Sequence, residues 1–251
     1  LINQDEQSLS LRVYKKTPSL SGLGGLETSD SRAVFKNGNV DMRQFKKLRM
    51  FLHAEAIEGN TNQDRLQDDE MIAFIRFGND FTDNFYQVEM PLKVTPHGAN
   101  SPEAVWPEEN EIELPLALLT KLKILALGND PGIIYDPNGI GFVEEEAIGS
   151  SENKLTLGIK GNPNFGLVRT LMVGVKNKNS SDPLRGEVWF NELRMSDMDN
   201  KGGYAAIANL DAKIADFASV SATTRVSTIG FGALEQGPND RSREDVFQYD
   251  I

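Results

Sequence analysis

Two histidines are the side chains of this sequence best suited to proton transfer or metal binding, and they lie far apart along the chain. His53 falls on the polar side of a predicted strand, and His97 follows Pro96 in a predicted loop. The 251 residues include no cysteine, which excludes a thiolate nucleophile, a disulfide framework and a cysteine zinc site, and two histidines are too few for a multi-histidine metal site. We expect both histidines to be solvated and without a catalytic partner.

Acidic residues are the second source of possible chemistry, because two carboxyl groups at a defined separation are sufficient to hydrolyse a glycosidic bond. Chain position does not show that separation, and with 37 acidic residues some neighbouring carboxylates are inevitable. The sequence has no nucleophile elbow, P-loop, dinucleotide fingerprint or zinc-protease helix. We therefore predict that the chain is not an enzyme and has no catalytic residues. A glycan-active enzyme with a carboxylate pair is the third and weakest hypothesis.

Calcium is the one cofactor that the sequence leaves open. Oxygen ligands could come from four aspartates in predicted loops, Asp80, Asp83, Asp130 and Asp136. No twelve-residue calcium loop of the EF-hand type is present. We predict no tightly bound transition metal and no other cofactor, and a structural calcium ion remains an alternative.

Aromatic residues raise the question of sugar binding. Four of them could form a stacking platform: Phe85, Tyr86, Trp106 and Trp189. Trp189 lies in a predicted strand and shares a strand face with Leu193 and Met195, so we expect it to be buried and structural. A platform is then possible only with Trp106 or Tyr86. A carbohydrate-binding module is therefore the alternative to a structural or interaction domain.

The net charge and the hydropathy pattern exclude two further classes. The formal net charge is -11 and the basic runs are short, so a nucleic-acid partner is not expected. No run of about 18 apolar residues exists, which argues against a transmembrane helix. The sequence begins at Leu1 rather than Met and ends in a polar run, and we expect it to be a piece of a longer protein.

Short strand-like runs separated by turn residues fill the first two-thirds of the chain, which predicts an all-β antiparallel sandwich over residues 1–196. In one of these runs Leu48, Met50 and Leu52 fall on one face and Arg49 and His53 on the other, as in a half-buried strand. The predicted strands are Ser8–Tyr14, Ser31–Val34, Leu48–Ala56, Met71–Phe77, Phe85–Val94, Leu155–Ile159, Leu167–Val175 and Glu187–Met195.

One helix is predicted near residues 115–125, where Leu116, Leu119 and Leu122 recur at helical spacing and Gly128 can end the run. The long connections at 96–110 and 128–146 are rich in glycine, proline, asparagine and acids. We expect both connections to be surface loops.

After the polar hinge SDMDNKGG the composition changes, and residues 197–251 are predicted to begin a second unit of barrel-type strands. Alternate residues from Tyr204 to Ile214 are small or apolar, whereas Asn209, Asp211 and Lys213 point the other way. A return strand over 219–226 repeats this alternation. Each arm has roughly the 9–11 residues of a transmembrane β-strand. An ordinary exposed hairpin is the alternative.

The junction GEVWFNELRMSDMDNKGGYAA resembles that of the SprA/Sov family, the outer-membrane translocon of the type IX secretion system, which is also required for gliding motility. Similar runs are EQSLSLRVY, DSRAVFKNGNVDMRQFKKLRMFLHAEA, IAFIRFGNDFTDNFYQVEMPLKV, VWPEENEIEL and GFGALEQGPNDRSRED. The closing run G-x-V-W-x-N-E-L-R also resembles the last strand of galactose-binding-like jelly rolls.

The family resemblance implies a fragment of a very large single-chain β-barrel that carries inserted soluble domains. It implies a non-enzymatic role in structure or in contacts with partners, which would be other translocon subunits and secreted cargo. The location implied is the outer membrane of a Gram-negative bacterium, with this domain periplasmic, luminal or extracellular. The apolar face of residues 204–228 would then contact lipid or a neighbouring wall.

Overall fold

The computed structural model describes residues 8–14, 25–57, 66–144, 155–177, 183–237 and 240–250, which form 14 strands and two α-helices. The chain divides into two compact units, Leu1–Asp197 and Met198–Ile251. The strands of the first unit are β1 Leu9–Val13, β2 Ser31–Val40, β3 Phe45–Ala56, β4 Met71–Gly78, β5 Phe85–Pro91, β6 Glu111–Pro115, β7 Ile134–Tyr135, β8 Gly141–Glu144, β9 Thr156–Lys160, β10 Val168–Asn177 and β11 Gly186–Met198. Those of the second are β12 Ala205–Ile214, β13 Ala218–Ser227 and β14 Val246–Asp250, and the helices are α1 Pro102–Val105 and α2 Leu116–Leu127.

The first unit is a sandwich of two sheets around one hydrophobic core. One sheet has four strands in the order β1-β11-β3-β6, and the other has seven in the order β2-β10-β4-β5-β9-β8-β7. The late strands β10 and β11 return to lie beside β2 and β1, a connection of the Greek-key kind. The predicted all-β antiparallel sandwich is confirmed.

Strand β3 shows how the alternating sequence selects its faces. Leu48, Met50 and Leu52 are buried in the core, as predicted from their spacing. On the opposite face Arg49 pairs with Glu111 of the neighbouring β6. One face of this strand is therefore apolar and the other is held by charge pairs.

The predicted continuous apolar run at 71–77 is β4, at the middle of the seven-stranded sheet. Ala73, Ile75 and Phe77 belong to the core, whereas Phe74 faces the other side and is also buried. Burial on both faces explains why this strand lacks polar alternation.

Two parts of the seven-stranded sheet differ from the sequence prediction. Strand β2 extends to Val40, well beyond the predicted end at Val34, because the polar run Lys36–Asn39 continues to pair with β10 at the sheet edge. The connection at 128–146, predicted as loop, contains the short strands β7 and β8. Strand β8 pairs with β7 on one side and with β9 on the other, and β9 is distant in sequence from β7. The local sequence therefore gives little indication of these two short strands.

Helix α2 confirms the predicted helix. Leu116, Leu119 and Leu122 are buried against the core, and the amide of Gly128 donates to the Ile124 carbonyl at the end of the helix. Among the described residues no helix has the length and apolar character needed to cross a bilayer.

Replacement of Leu119 by alanine should lower the free energy of unfolding by about 2–5 kcal/mol, because this side chain is completely buried and its loss leaves a cavity. Leu127→Ala on the same helix is the matched control, since Leu127 is exposed. Urea unfolding followed by circular dichroism measures both. Equal stability losses in the two variants would show that α2 does not pack on the sandwich through Leu119.

Candidate functional site

The three-stranded sheet β12-β13-β14 has one face made of small and apolar side chains, called here the apolar face. The antiparallel register brings these residues together across the strands: Leu210 lies opposite Ala222, and Val226 lies opposite both Ala206 and Phe247. The members of the apolar face are Ala206, Ala208, Leu210, Ala212, Ile214, Ala218, Val220, Ala222, Thr224, Val226, Phe247 and Tyr249. The predicted hairpin and its alternation are present, and β14 adds a third strand that was not predicted.

The opposite face of this sheet, called the polar face, is mainly hydrophilic. Asn209 lies opposite Thr223, and Asp211 lies opposite Ser221. Its apolar members are Ile207, which lies opposite Arg225, and Ala205 and Val246, which both lie opposite Ser227. The two faces therefore suit two different surroundings.

The apolar face is largely uncovered: Leu210 is 62% exposed and Phe247 is 68% exposed. Aromatic side chains lie near both ends of the long strands, with Tyr204, Phe247 and Tyr249 at one end and Phe217 in the turn between β12 and β13. A small isolated sheet of this kind has little stability in water. Its exposed face is suited to contact with another apolar surface.

Phe85 and Tyr86, two of the four aromatic residues considered for a sugar-stacking platform, are buried. Tyr86 belongs to the core, with its ring 4.9 Å from that of Phe165, and burial raises the pKa of its hydroxyl to about 12. Phe85 is buried on the opposite face of β5, beneath the guanidinium of Arg76. Neither ring offers a free surface to a ligand.

The four candidate calcium ligands stabilise turns. Asp80 Oδ1 accepts hydrogen bonds from the amides of Asp83, Asn84 and Thr82, and these bonds, led by that of Asp83, hold the pKa of Asp80 well below its usual range. The side chains of Asp130 and Asp136 accept from amides of their own turns in the same way, and Asp83 accepts from the Thr82 hydroxyl. Within the described ranges no group of three or more acidic or histidine side chains could hold a metal ion.

His53 is buried, and the expectation of a solvated histidine is wrong. Its Nδ1 lies 2.7 Å from the carbonyl oxygen of Val105 and 3.1 Å from the hydroxyl of Thr95. A carbonyl can only accept, so Nδ1 carries a proton and donates it to Val105. Nε2 is buried, has no hydrogen-bond partner among the described residues, and lies 3.6 Å from a carboxylate oxygen of Glu55.

Trp189 is half-buried beside this histidine and does not belong to the core, so the prediction of a core tryptophan is wrong. Its ring centroid lies 4.5 Å from that of His53 and 6.3 Å from that of Trp106. The cause lies in Glu192, whose φ of 49° interrupts the alternation of β11. Leu193 beyond that point packs on the core, although it has the same parity as Trp189.

A cavity of about 1080 Å³ lies beside these rings and is lined in part by His53, Glu55, Thr95, His97 and Trp189. The two histidines thus border the same cavity, which their sequence separation did not indicate. The His53 side chain is only 3% exposed, so most of its ring is covered by protein.

Glu187 links the edge strand β1 to β11. Its carboxylate accepts hydrogen bonds from Ser10, from both Nε and Nη2 of Arg12, and from the indole of Trp189 at 2.9 Å. Burial alone would raise the pKa of Glu187, but the hydrogen bonds from Ser10, Trp189 and Arg12 outweigh burial and lower it. The ionised carboxylate is therefore the form that stabilises the fold.

Replacement of Glu187 by glutamine should destabilise the first unit by about 1–3 kcal/mol at pH 7, through loss of charge-assisted hydrogen bonds. Because the folded pKa is lowered, this stabilisation is present above the ordinary carboxyl value of 4.5 and disappears as the pH falls through the lower folded value. Urea unfolding at pH 7 and at pH 3 measures the difference. Glu192→Gln, an exposed site on the same strand, is the control, and a Glu187→Gln effect that persists unchanged at the lowest pH would contradict the assignment.

The comparison with known proteins agrees with the residues that resemble SprA/Sov. Residues 1–251 match the sequence model of the SprA_N family, which is described as a motility related/secretion protein. No curated protein matches the chain. Because the match covers the whole sequence, the chain belongs to the SprA_N family of motility-related and secretion proteins.

Proposed function

We propose that this chain is a non-enzymatic part of a very large outer-membrane β-barrel translocon for type IX protein secretion and gliding motility. The sandwich is a structural or interaction domain of that translocon, and β12–β14 begin a stretch of its barrel wall. The observation that carries the proposal is the three-stranded sheet with one exposed apolar face and one polar face.

The length of the strands supports a membrane position for this sheet. Strands β12 and β13 have 10 residues each, which corresponds to about 34 Å of extended chain. Tilted by about 45°, such a strand crosses the apolar band of an outer-membrane barrel, which is about 25 Å tall. The aromatic residues near the strand ends occupy the positions where membrane barrels carry aromatic girdles.

The edges of the sheet support continuation into further strands. Among the described residues, β12 and β14 each pair only with β13, so each leaves one edge unpaired. Open edges in a membrane would leave backbone groups without hydrogen bonds, and barrels avoid this by closing the sheet. We propose that neighbouring barrel strands pair with both edges.

The arrangement of the candidate side chains supports a non-enzymatic role. Nε2 of His53 is shielded by its surroundings, and the aspartates proposed for calcium binding are engaged in turns. The partners that we propose are other subunits of the translocon and the secreted cargo. The family relationship supports a role in secretion and motility, and the identities of the partners are part of the proposal.

Single cysteines in the full-length protein in its native membrane test the barrel assignment. Ala208→Cys and Leu210→Cys lie on the apolar face and should react with a membrane-confined maleimide. Asn209→Cys and Asp211→Cys lie on the polar face of the same strand and should react with a charged aqueous maleimide. Leu127→Cys, on α2 of the sandwich, is the control for aqueous labelling. Uniform aqueous labelling of all four strand positions would refute a lipid-facing sheet.

A charge placed on the two faces gives an independent test. Leu210→Arg should cost about 2–4 kcal/mol of membrane stability, because it places a cation near the middle of the apolar band. Asp211→Arg, one residue further along, should be nearly neutral because it faces the polar side. The amount of folded protein recovered from the outer membrane is the readout. Equal recovery of both variants would contradict the proposed orientation.

A further inference from the structure

The outer face of the seven-stranded sheet, which points away from the core, carries buried polar and charged side chains. Gln87 and Glu89 of β5 lie on this face, and Glu89 is only 2% exposed. Arg76 lies opposite Gln87 on the neighbouring β4. Burial of charges away from water is costly unless they are paired. Their presence on a sheet face that could have been apolar requires an explanation.

These side chains form a connected row across three strands, called here the polar floor. Arg76 Nε donates to Gln87 Oε1 at 2.7 Å, and Gln87 Nε2 donates to Glu89 Oε1 at 2.5 Å. Lys176 of β10 donates to the same oxygen of Glu89. Burial lowers the pKa of the Arg76 guanidinium, whereas the nearby carboxylate of Glu89 opposes this change. The floor is thus a fixed set of donors and acceptors.

The polar floor retains hydrogen-bonding capacity after these contacts. Among the described residues, Arg76 donates through Nε and Nη1, and Nη2 makes no hydrogen bond. Within the same part of the chain, Glu89 accepts through Oε1 only, and Lys176 uses one of its three N–H groups. Nη2 of Arg76, the second carboxylate oxygen of Glu89 and the remaining N–H groups of Lys176 can therefore bind a ligand in the one cavity that these residues line.

That cavity has a volume of about 750 Å³, within the range of small-molecule sites. Phe142 of β8 supplies an apolar wall, with its ring against Gly158, where an added Cβ would come within 2.7 Å of the ring. The ammonium group of Lys176 lies 5.5 Å from the centre of the same ring. Ile134, opposite Phe142 on β7, adds an exposed apolar side chain at the mouth.

The charges lining the cavity nearly balance. Arg76 and Lys176 are positive, whereas Glu89, Asp136 and Glu144 are negative. Neither a strongly anionic nor a strongly cationic ligand is favoured by such a lining. Hydroxyl groups can each donate and accept, and so match a floor that offers both functions. A pyranose ring adds apolar C–H faces that can lie on Phe142.

We propose that this cavity on the outer face of the seven-stranded sheet binds a neutral, hydroxyl-rich carbohydrate. The polar floor of Arg76, Gln87, Glu89 and Lys176 binds the hydroxyl groups, and Phe142 contacts the apolar face of a sugar ring. All the residues that line this site belong to the first unit, and the proposal does not depend on the proposed membrane position.

Binding of neutral oligosaccharides to the 251-residue chain tests the site. Hexasaccharides of glucan, mannan, xylan and galactan are titrated by calorimetry, and at least one should bind. Phe142→Ala should weaken that binding about tenfold through loss of the ring contact. Phe51→Ala is the matched control, because Phe51 is also half-buried on a strand and has a cation, Arg194, 5.8 Å from its ring centre. The control variant should bind as the unchanged protein does.

Amide chemical shifts of the unchanged protein provide a measurement that does not depend on the variants. The bound hexasaccharide should shift the amides of Phe142 and Gly158 and leave that of Phe51 in place. Absence of binding at millimolar concentrations of every neutral hexasaccharide would overturn the proposal. Chemical-shift changes confined to other regions would also overturn it. Tighter binding of an anionic galacturonate hexamer would do the same, as would binding at this cavity of an uncharged Gly/Ser/Asn peptide but of no oligosaccharide.

Discussion

The main constraint on this protein is that successive side chains of a β-strand point to opposite faces, so each sheet must satisfy two different surroundings. In β4 one face supplies Ile75 to the shared core, and the other face carries Arg76 into the polar floor. In the sandwich the core-facing side chains are buried between the two sheets. The outer face of the seven-stranded sheet is stabilised by a row of hydrogen-bonded polar and charged side chains. In β12–β14 the same alternation separates apolar from polar residues, but in the described part of that unit neither face belongs to a hydrophobic core.

Two buried carboxylates of the sandwich differ in how completely their hydrogen bonds are satisfied. Glu187 is fully engaged by Ser10, Arg12 and Trp189, and its role in joining the edge strand to the sheet explains its burial. In the described part of the chain Glu89 makes fewer hydrogen bonds than its two oxygens allow, and it borders a cavity. Burial of a charge without full compensation is destabilising, and such sites are commonly functional. The difference between these two carboxylates is the reason for assigning a ligand to one and a structural role to the other.

The parts predicted from sequence are those in which local periodicity and tertiary surroundings agree. The spacing of Leu116, Leu119 and Leu122 predicted α2, and the alternation from Leu48 to Ala54 predicted the faces of β3. Trp189 was assigned to the wrong side because strand parity assumes an uninterrupted ladder, and the positive φ of Glu192 is not evident in the sequence. The burial of His53 depends on Val105 and Thr95, which lie about 50 and 40 positions away. The polar floor was missed for a similar reason, since Arg76, Gln87 and Lys176 meet only through strand pairing.

The exposed apolar face of β12–β14 constrains function more strongly than any single side chain does. A soluble sheet in water normally covers one face with a helix or a second sheet, and its apolar residues are then large and branched so that they fill a core. Here Ala206, Ala208 and Ala212 alternate with a few larger residues, and cross-strand pairing places two valines and a threonine opposite them. Small side chains bury little apolar area and therefore stabilise a core weakly, whereas on a lipid-facing surface side chains need only be apolar. The composition of this face therefore supports the proposal that the second unit belongs to a barrel wall.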